Sequence, residues 1–201
     1  MKSEELEVKF YLAELPALER RLKEHGAVLE HNRIHEINLR FDRPDGSLSA
    51  RGEVLRLRQD SRVRLTYKGM GEVREGVVAR REIEFEVADF APARQFLEAL
   101  GFQVSVMYEK FRTTYRLDEV EVVLDEMPYG NFCELEGPDP TAIERVAQRL
   151  RLHWPSRTLL SYMALFEQVR SRLALTGRDL TFKTFEDVKV RPEDLGLSPG
   201  D

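Results

Sequence analysis

The chain holds a single cysteine, Cys133, among 201 residues. That excludes an internal disulfide framework and suits a reducing compartment, so a cytoplasmic location is expected. No apolar run approaches the roughly 18 residues that a membrane span needs. Met1-Lys2-Ser3 leads directly into a charged stretch, so neither a signal peptide nor a membrane partner is expected. Positive charge is not in excess either. With 31 Lys and Arg against 36 Asp and Glu, the net charge of -5 argues against a nucleic-acid partner. Gly69-Met70-Gly71 lacks the spacing of a P-loop or a dinucleotide fingerprint. His31 and His35 stand four apart, but in a loop-to-strand stretch where that spacing makes no metal pair. There is no internal repeat and no low-complexity segment. What remains, 42% hydrophobic and 33% charged residues, is the make-up of one soluble globular domain.

Periodicity divides the chain into strands and a few helices. Strands are expected at residues 5–10, 34–42, 53–59, 63–68, 77–87, 104–117, 120–125 and 131–136, with turn signals such as Arg43-Pro44-Asp45-Gly46 between them. Helical spacing appears over residues 14–29, 91–100, 139–150 and 158–175, with Gly26 and Gly101 as stops and Pro140 in an opening turn. Residues 69–76 read as a flexible loop. Strands without regular crossover helices indicate an antiparallel α+β fold, and eight of them are enough to close a barrel. Residues 1–175 are expected to form the domain. Residues 176–201 read as a polar C-terminal tail in which Phe182 and Phe185 could dock.

The charges follow the strand period of two, which places alternate residues on one face. Glu5, Glu7 and Lys9 share a face, as do Glu36, Asn38, Arg40 and Asp42. So do Arg56 with Arg58, Arg64 with Thr66 and Lys68, and Glu82 with Glu84 and Glu86. Later strands offer Lys110, Arg112, Thr114 and Arg116, then Asp125, then Glu134 and Glu136. The ordinary meaning of such alternation is a half-buried strand with its polar face in water. Here, however, nearly every polar position is a full charge, and the signs segregate by strand. Closed into a ring, these strands would set an acidic wall against a basic one. Such a cavity suits a polyanion held by bases and bridged to carboxylates by hard divalent cations, magnesium or manganese.

The Glu5-x-Glu7-x-Lys9 opening resembles the ExExK signature of the CYTH superfamily, the triphosphate tunnel metalloenzymes. Leu55-Arg56-Leu57-Arg58, Tyr67-Lys68-Gly69, the acidic run led by Arg81, Tyr108-Glu109-Lys110-x-Arg112, Leu124-Asp125 and Glu134-x-Glu136-Gly137 extend the resemblance over residues 4–170. It implies an eight-stranded antiparallel barrel forming a tunnel, with helices outside. It further implies metal ligation by Glu5, Glu7, Glu134, Glu136 and Asp125, with Glu84 or Glu82 as a further ligand. Lys9, Arg56, Arg58, Lys68, Lys110 and Arg112 would form the triphosphate cradle. Lys9, with Glu5 and Glu7, would carry the catalytic chemistry, Lys9 as an anchor or as an aid to water deprotonation. The second strand departs from the cyclase-like Gln-x-Asp-x-Tyr-Phe pattern: Arg40 stands at the tyrosine position, where it would add a phosphate contact and tells against the cyclase assignment without excluding it. The expected activity is metal-dependent hydrolysis of a triphosphate-containing small molecule by a monomer or homodimer. The alternatives are adenylyl cyclisation of ATP and a non-catalytic polyphosphate- or nucleotide-binding module. The many like charges would strain the barrel when empty. Tyr162, with Leu159, Leu165 and Phe166, reads as packing, and Cys133 as packing outside the wall.

Overall fold

The computed structural model describes residues 4–201; Met1-Lys2-Ser3, expected to lead into the first strand, lie outside the described residues. The strands are β1 (Glu4–Leu12), β2 (Val28–Asp42), β3 (Val54–Gln59), β4 (Val63–Lys68), β5 (Glu72–Arg74), β6 (Val77–Val87), β7 (Gln103–Leu117), β8 (Val120–Met127), β9 (Gly130–Glu136) and β10 (Arg157–Thr158). The helices are α1 (Leu15–Glu24), α2 (Ser47–Ala50), α3 (Phe90–Ala99), α4 (Pro140–Arg149), α5 (Tyr162–Arg172) and α6 (Pro192–Leu195).

Eight strands run in the order β1-β9-β8-β7-β2-β3-β4-β6, and β6 returns to β1 through the pairs Glu4–Arg81 to Glu7–Val78. Every pairing in this ring is antiparallel. The expected α+β antiparallel barrel is therefore present. No helix of the described residues is long and apolar enough to cross a membrane.

The strand period explains why this barrel is charged within. Its apolar rows face outward, where helices cover most of them. Val8, Phe10, Val122 and Leu135 pack with Leu18 and Leu22 of α1 and with Ile143 and Val146 of α4. Leu39, Phe41, Leu55 and Leu57 pack with Leu97 of α3. A third cluster joins Tyr108, Met127 and Phe132 to Leu165, Phe166 and Val169 of α5 and to Leu180, Phe185 and Leu195. By parity, Tyr108, Met127 and Phe132 belong to the inner face, so this cluster closes one end of the wall. With most of the outer face buried under helices, and Ile83 and Phe85 of β6 left exposed on it, the polar rows line the interior.

Three local expectations are revised. The first helix stops at Glu24 because Gly26 turns the chain at φ 74°, and β2 already starts at Val28. The helix expected from Thr158 begins at Tyr162, since Arg157 and Thr158 pair with Phe10 and Lys9 of β1. Part of the expected flexible loop is β5, paired with β6. Residues 176–201 lie against the barrel: Leu180 bridges Tyr108, Phe182 sits 5.1 Å from the Phe111 ring, and the Asp201 side chain accepts from the Ala13 and Glu14 amides at 2.8 Å.

Candidate active site

The lumen holds a cavity of about 700 Å³, bordered by Glu5, Glu7, Lys9, Arg40, Arg56, Arg58, Lys68, Glu84, Lys110, Arg112, Glu134 and Glu136. These residues lie far apart in sequence. Register brings them together: Arg40 opposes Arg56 across β2–β3, Lys9 opposes Glu134 across β1–β9, and Lys68 opposes Glu82 across β4–β6. Asp125 is fully buried behind this lining. Asp42, which shares the parity of Arg40, is not in the lumen. Its carboxylate accepts from the Arg43, Leu48 and Ser49 amides and from the Ser49 hydroxyl, holding α2 to the end of β2.

Most of the lumen charges are interleaved into ion pairs. Lys9 lies 2.6 Å and Arg112 2.5 Å from the Glu134 carboxylate. Asp125 accepts from Arg112 Nε at 2.7 Å, from Lys110 at 3.0 Å and from the Tyr162 hydroxyl at 2.8 Å. Arg58 reaches Glu84 at 3.1 Å and Glu36 at 3.5 Å, while Arg56 reaches Glu84 at 3.3 Å. Lys68 bridges Glu5 at 2.7 Å and Glu82 at 2.9 Å, and Arg80 bridges Glu5 at 3.1 Å and Glu7 at 2.6 Å. Opposite charges therefore offset the expected like-charge repulsion, although each pair still bears the cost of desolvation.

This network sets the protonation states. Burial alone would raise Glu5, but Lys68 and Arg80 hold it down at about 2. Its neighbour Glu82 goes the other way, to about 7, through burial and the adjoining Glu5 carboxylate. Burial would lower Lys9, yet Glu134 and Glu7 raise it overall. Arg40 is lowered by burial and by Arg56 nearby. Among the described residues no hydrogen bond or ion pair holds the Arg40 guanidinium, although Tyr108 and Asp42 attract it.

A hard divalent cation fits the donor chemistry. Glu7, Glu136 and Glu121 stand directly opposite one another across β1, β9 and β8, and all three border the cavity. Like charges opposed in a sheet are destabilising, and an all-oxygen set selects magnesium, calcium or manganese. Among the described residues, no three acidic, His or Cys side chains are already gathered into a metal cage.

Several lumen residues escaped the sequence reading. Arg80 is one: the acidic run was taken to start at Arg81, which is exposed, while Arg80 shares the parity of Glu82 and Glu84. Parity alone could have found it. Glu36 was on the right face but carried no role. Tyr108, which contacts Arg56 at 3.5 Å, shares the parity of Lys110 and was readable in the same way, whereas Tyr162, on a helix at the cavity's border, carried no such signal. Cys133 packs outside the wall as expected.

A family model of the CYTH domain matches residues 3–155. A Methanocaldococcus jannaschii protein named "putative adenylate cyclase" is 28% identical over 134 residues, which are 66% of this chain and 75% of that protein. A solved structure named as a "putative adenylate cyclase" from Vibrio parahaemolyticus aligns with a TM-score of 0.71 at 22% identity, over 83% of this chain and 99% of its own. A Hippeastrum protein described as a "putative adenylyl cyclase" that "reveals a dominant triphosphatase activity" aligns with a TM-score of 0.61 at 20% identity, over 81% of this chain and 95% of its own. At these identities the two structures speak for the fold alone.

Proposed function

Because this chain belongs to the CYTH domain family, we propose that its lumen binds a triphosphate and hydrolyses it with the help of a divalent metal. The observation that carries this reading is the convergence of Lys9, Arg40, Arg56, Arg58, Lys68, Lys110 and Arg112 with Glu5, Glu7, Glu134 and Glu136 around one cavity. A simple anion binder would need only the bases.

Glu7 and Glu136, opposed in register, would hold magnesium or manganese together with Glu5 and Glu134. The bound ion would neutralise phosphate charge and lower the pKa of a coordinated water. The chain's own residues supply the rest. Arg40, Arg56 and Arg58 offer planar forks for phosphate oxygens, while Lys9, Lys68 and Lys110 act as point charges. Such fixed cations aimed at developing charge supply most of the stabilisation in phosphoryl transfer. The raised Lys9 remains an ammonium, which favours anchoring over water deprotonation. Asp125, fully buried behind the lining, would hold Lys110 with Arg112, and Glu84, which borders the cavity, would hold Arg56 with Arg58 and serve as a further metal ligand.

The name of the Methanocaldococcus relative favours a second reading, cyclisation of ATP with release of pyrophosphate. The word triphosphatase in the description of the Hippeastrum protein favours the first. Product analysis separates them. On incubation with tripolyphosphate, thiamine triphosphate or ATP plus magnesium or manganese, hydrolysis yields orthophosphate. Cyclic AMP with pyrophosphate would establish the second reading, and no product would leave a binding module.

A further inference from the structure

The start of α5 enters the lumen, and Tyr162 is the residue it delivers. Its hydroxyl donates to Asp125 at 2.8 Å, its ring centroid lies 4.6 Å from the Lys9 ammonium and 5.4 Å from that of Lys110, and it forms a T-shaped pair with Phe132 with ring centroids 5.2 Å apart. Two further bonds fix this turn of helix. The Ser161 hydroxyl accepts from the Ala164 amide at 3.2 Å, and Tyr129 donates to the Tyr162 carbonyl at 2.9 Å. One phenol thus contacts two ammonium groups and the carboxylate that holds Arg112. A ring that served only as packing would have no reason to face two charged amines in a largely desolvated site, where the cation–π attraction is strongest.

The geometry points to Tyr162 as a positioning residue that sets Lys9 and Lys110 at the spacing a bound triphosphate requires. The inference rests on the triphosphate reading above. The hydroxyl acts through Asp125, which also binds Lys110 and Arg112, and the ring acts directly on the lysines. The two contributions are separable. Phe keeps the ring and loses only the hydroxyl, whereas Leu loses both.

The test is calorimetric titration of tripolyphosphate into the full chain without metal, well below the unfolding temperature. Tyr162→Phe is expected to weaken binding about tenfold, the scale of a lost hydrogen bond to a charged group, and Tyr162→Leu about a hundredfold once the cation–π contacts go as well. The stoichiometry of binding stays that of the parent. Leu165→Ala, which removes a buried side chain from the same helix, lowers the unfolding temperature and leaves the affinity unchanged. Proton NMR reads the same geometry without substrate: the side-chain methylene resonances of Lys9 should show an upfield ring-current shift, kept in Tyr162→Phe and lost in Tyr162→Leu. Were the parent not to bind tripolyphosphate, the functional reading would fall while the Lys9 shift still reported the geometry. Were the parent to bind and both Tyr162 variants to match its affinity, or to lose only binding-competent fraction, Tyr162 would be packing and the inference would be overturned.

Discussion

Glu7 faces Glu136 across β1–β9 and meets Arg80 at 2.6 Å, so its charge is held by a base while it remains available to a cation of higher charge. Glu7→Gln keeps the shape and removes that charge. Metal-dependent turnover should fall at least about 100-fold, the scale seen when one preorganised electrostatic group is lost. Steady-state kinetics across a magnesium or manganese series checks this; full turnover in the variant would remove Glu7 from the metal site. The Glu5–Glu82 pair makes a prediction in pH. Glu82, at about 7 in the fold against an ordinary 4.5, stabilises the fold fully below pH 4.5 and loses that contribution as pH rises through 7. Glu5, at about 2, contributes above pH 4.5 and is lost as pH falls through 2. Urea midpoints should therefore drop between pH 5.5 and 8 in the parent, and Glu82→Gln should flatten that slope. An unchanged slope in the variant would mean that another group titrates there.

At the scale of elements, strand parity decides what is inside, and it fails where a strand ends. Asp42 has the parity of the lumen yet leaves the barrel and accepts four hydrogen bonds, two of them from the Leu48 and Ser49 amides of the first turn of α2. Asp42→Ala should cost about 1–2 kcal/mol of stability, as the loss of a helix cap does, and leave tripolyphosphate affinity untouched. Chemical denaturation beside a binding titration reads both. The regular strands were legible from alternation because one face is apolar along its whole length, as in Leu6, Val8 and Phe10. The start of α5 was not. Leu159 and Leu160 continue the apolar content of the helix backward, while Arg157 and Thr158 are held as β10 by pairing with Lys9 and Phe10, a tertiary contact that no local pattern encodes. That misplaced boundary also hid Tyr162, whose role depends on where the helix enters the barrel.

For the whole molecule, ring closure converts eight amphipathic strands into one cavity. The basic rows of β3 and β7 and the acidic rows of β1, β6 and β9 were readable strand by strand. Their interleaving into ion pairs was not, because it depends on shear and on side chains reaching across the lumen. In this network the Arg40 guanidinium feels the repulsion of Arg56 and Arg80 and is attracted by Tyr108 and, through space, by Asp42, but no carboxylate of the described residues forms an ion pair with it. That makes it the cleanest probe of the central claim that the lumen is a polyanion cradle. Tripolyphosphate should be titrated by calorimetry into the parent and into Arg40→Ala, with the unfolding temperature of each measured without ligand. The account predicts one tripolyphosphate per chain, about tenfold weaker binding in the variant as one charged phosphate contact is lost, and no loss of ligand-free stability. Absence of saturable binding to the parent, or equal affinity in both proteins, would contradict it.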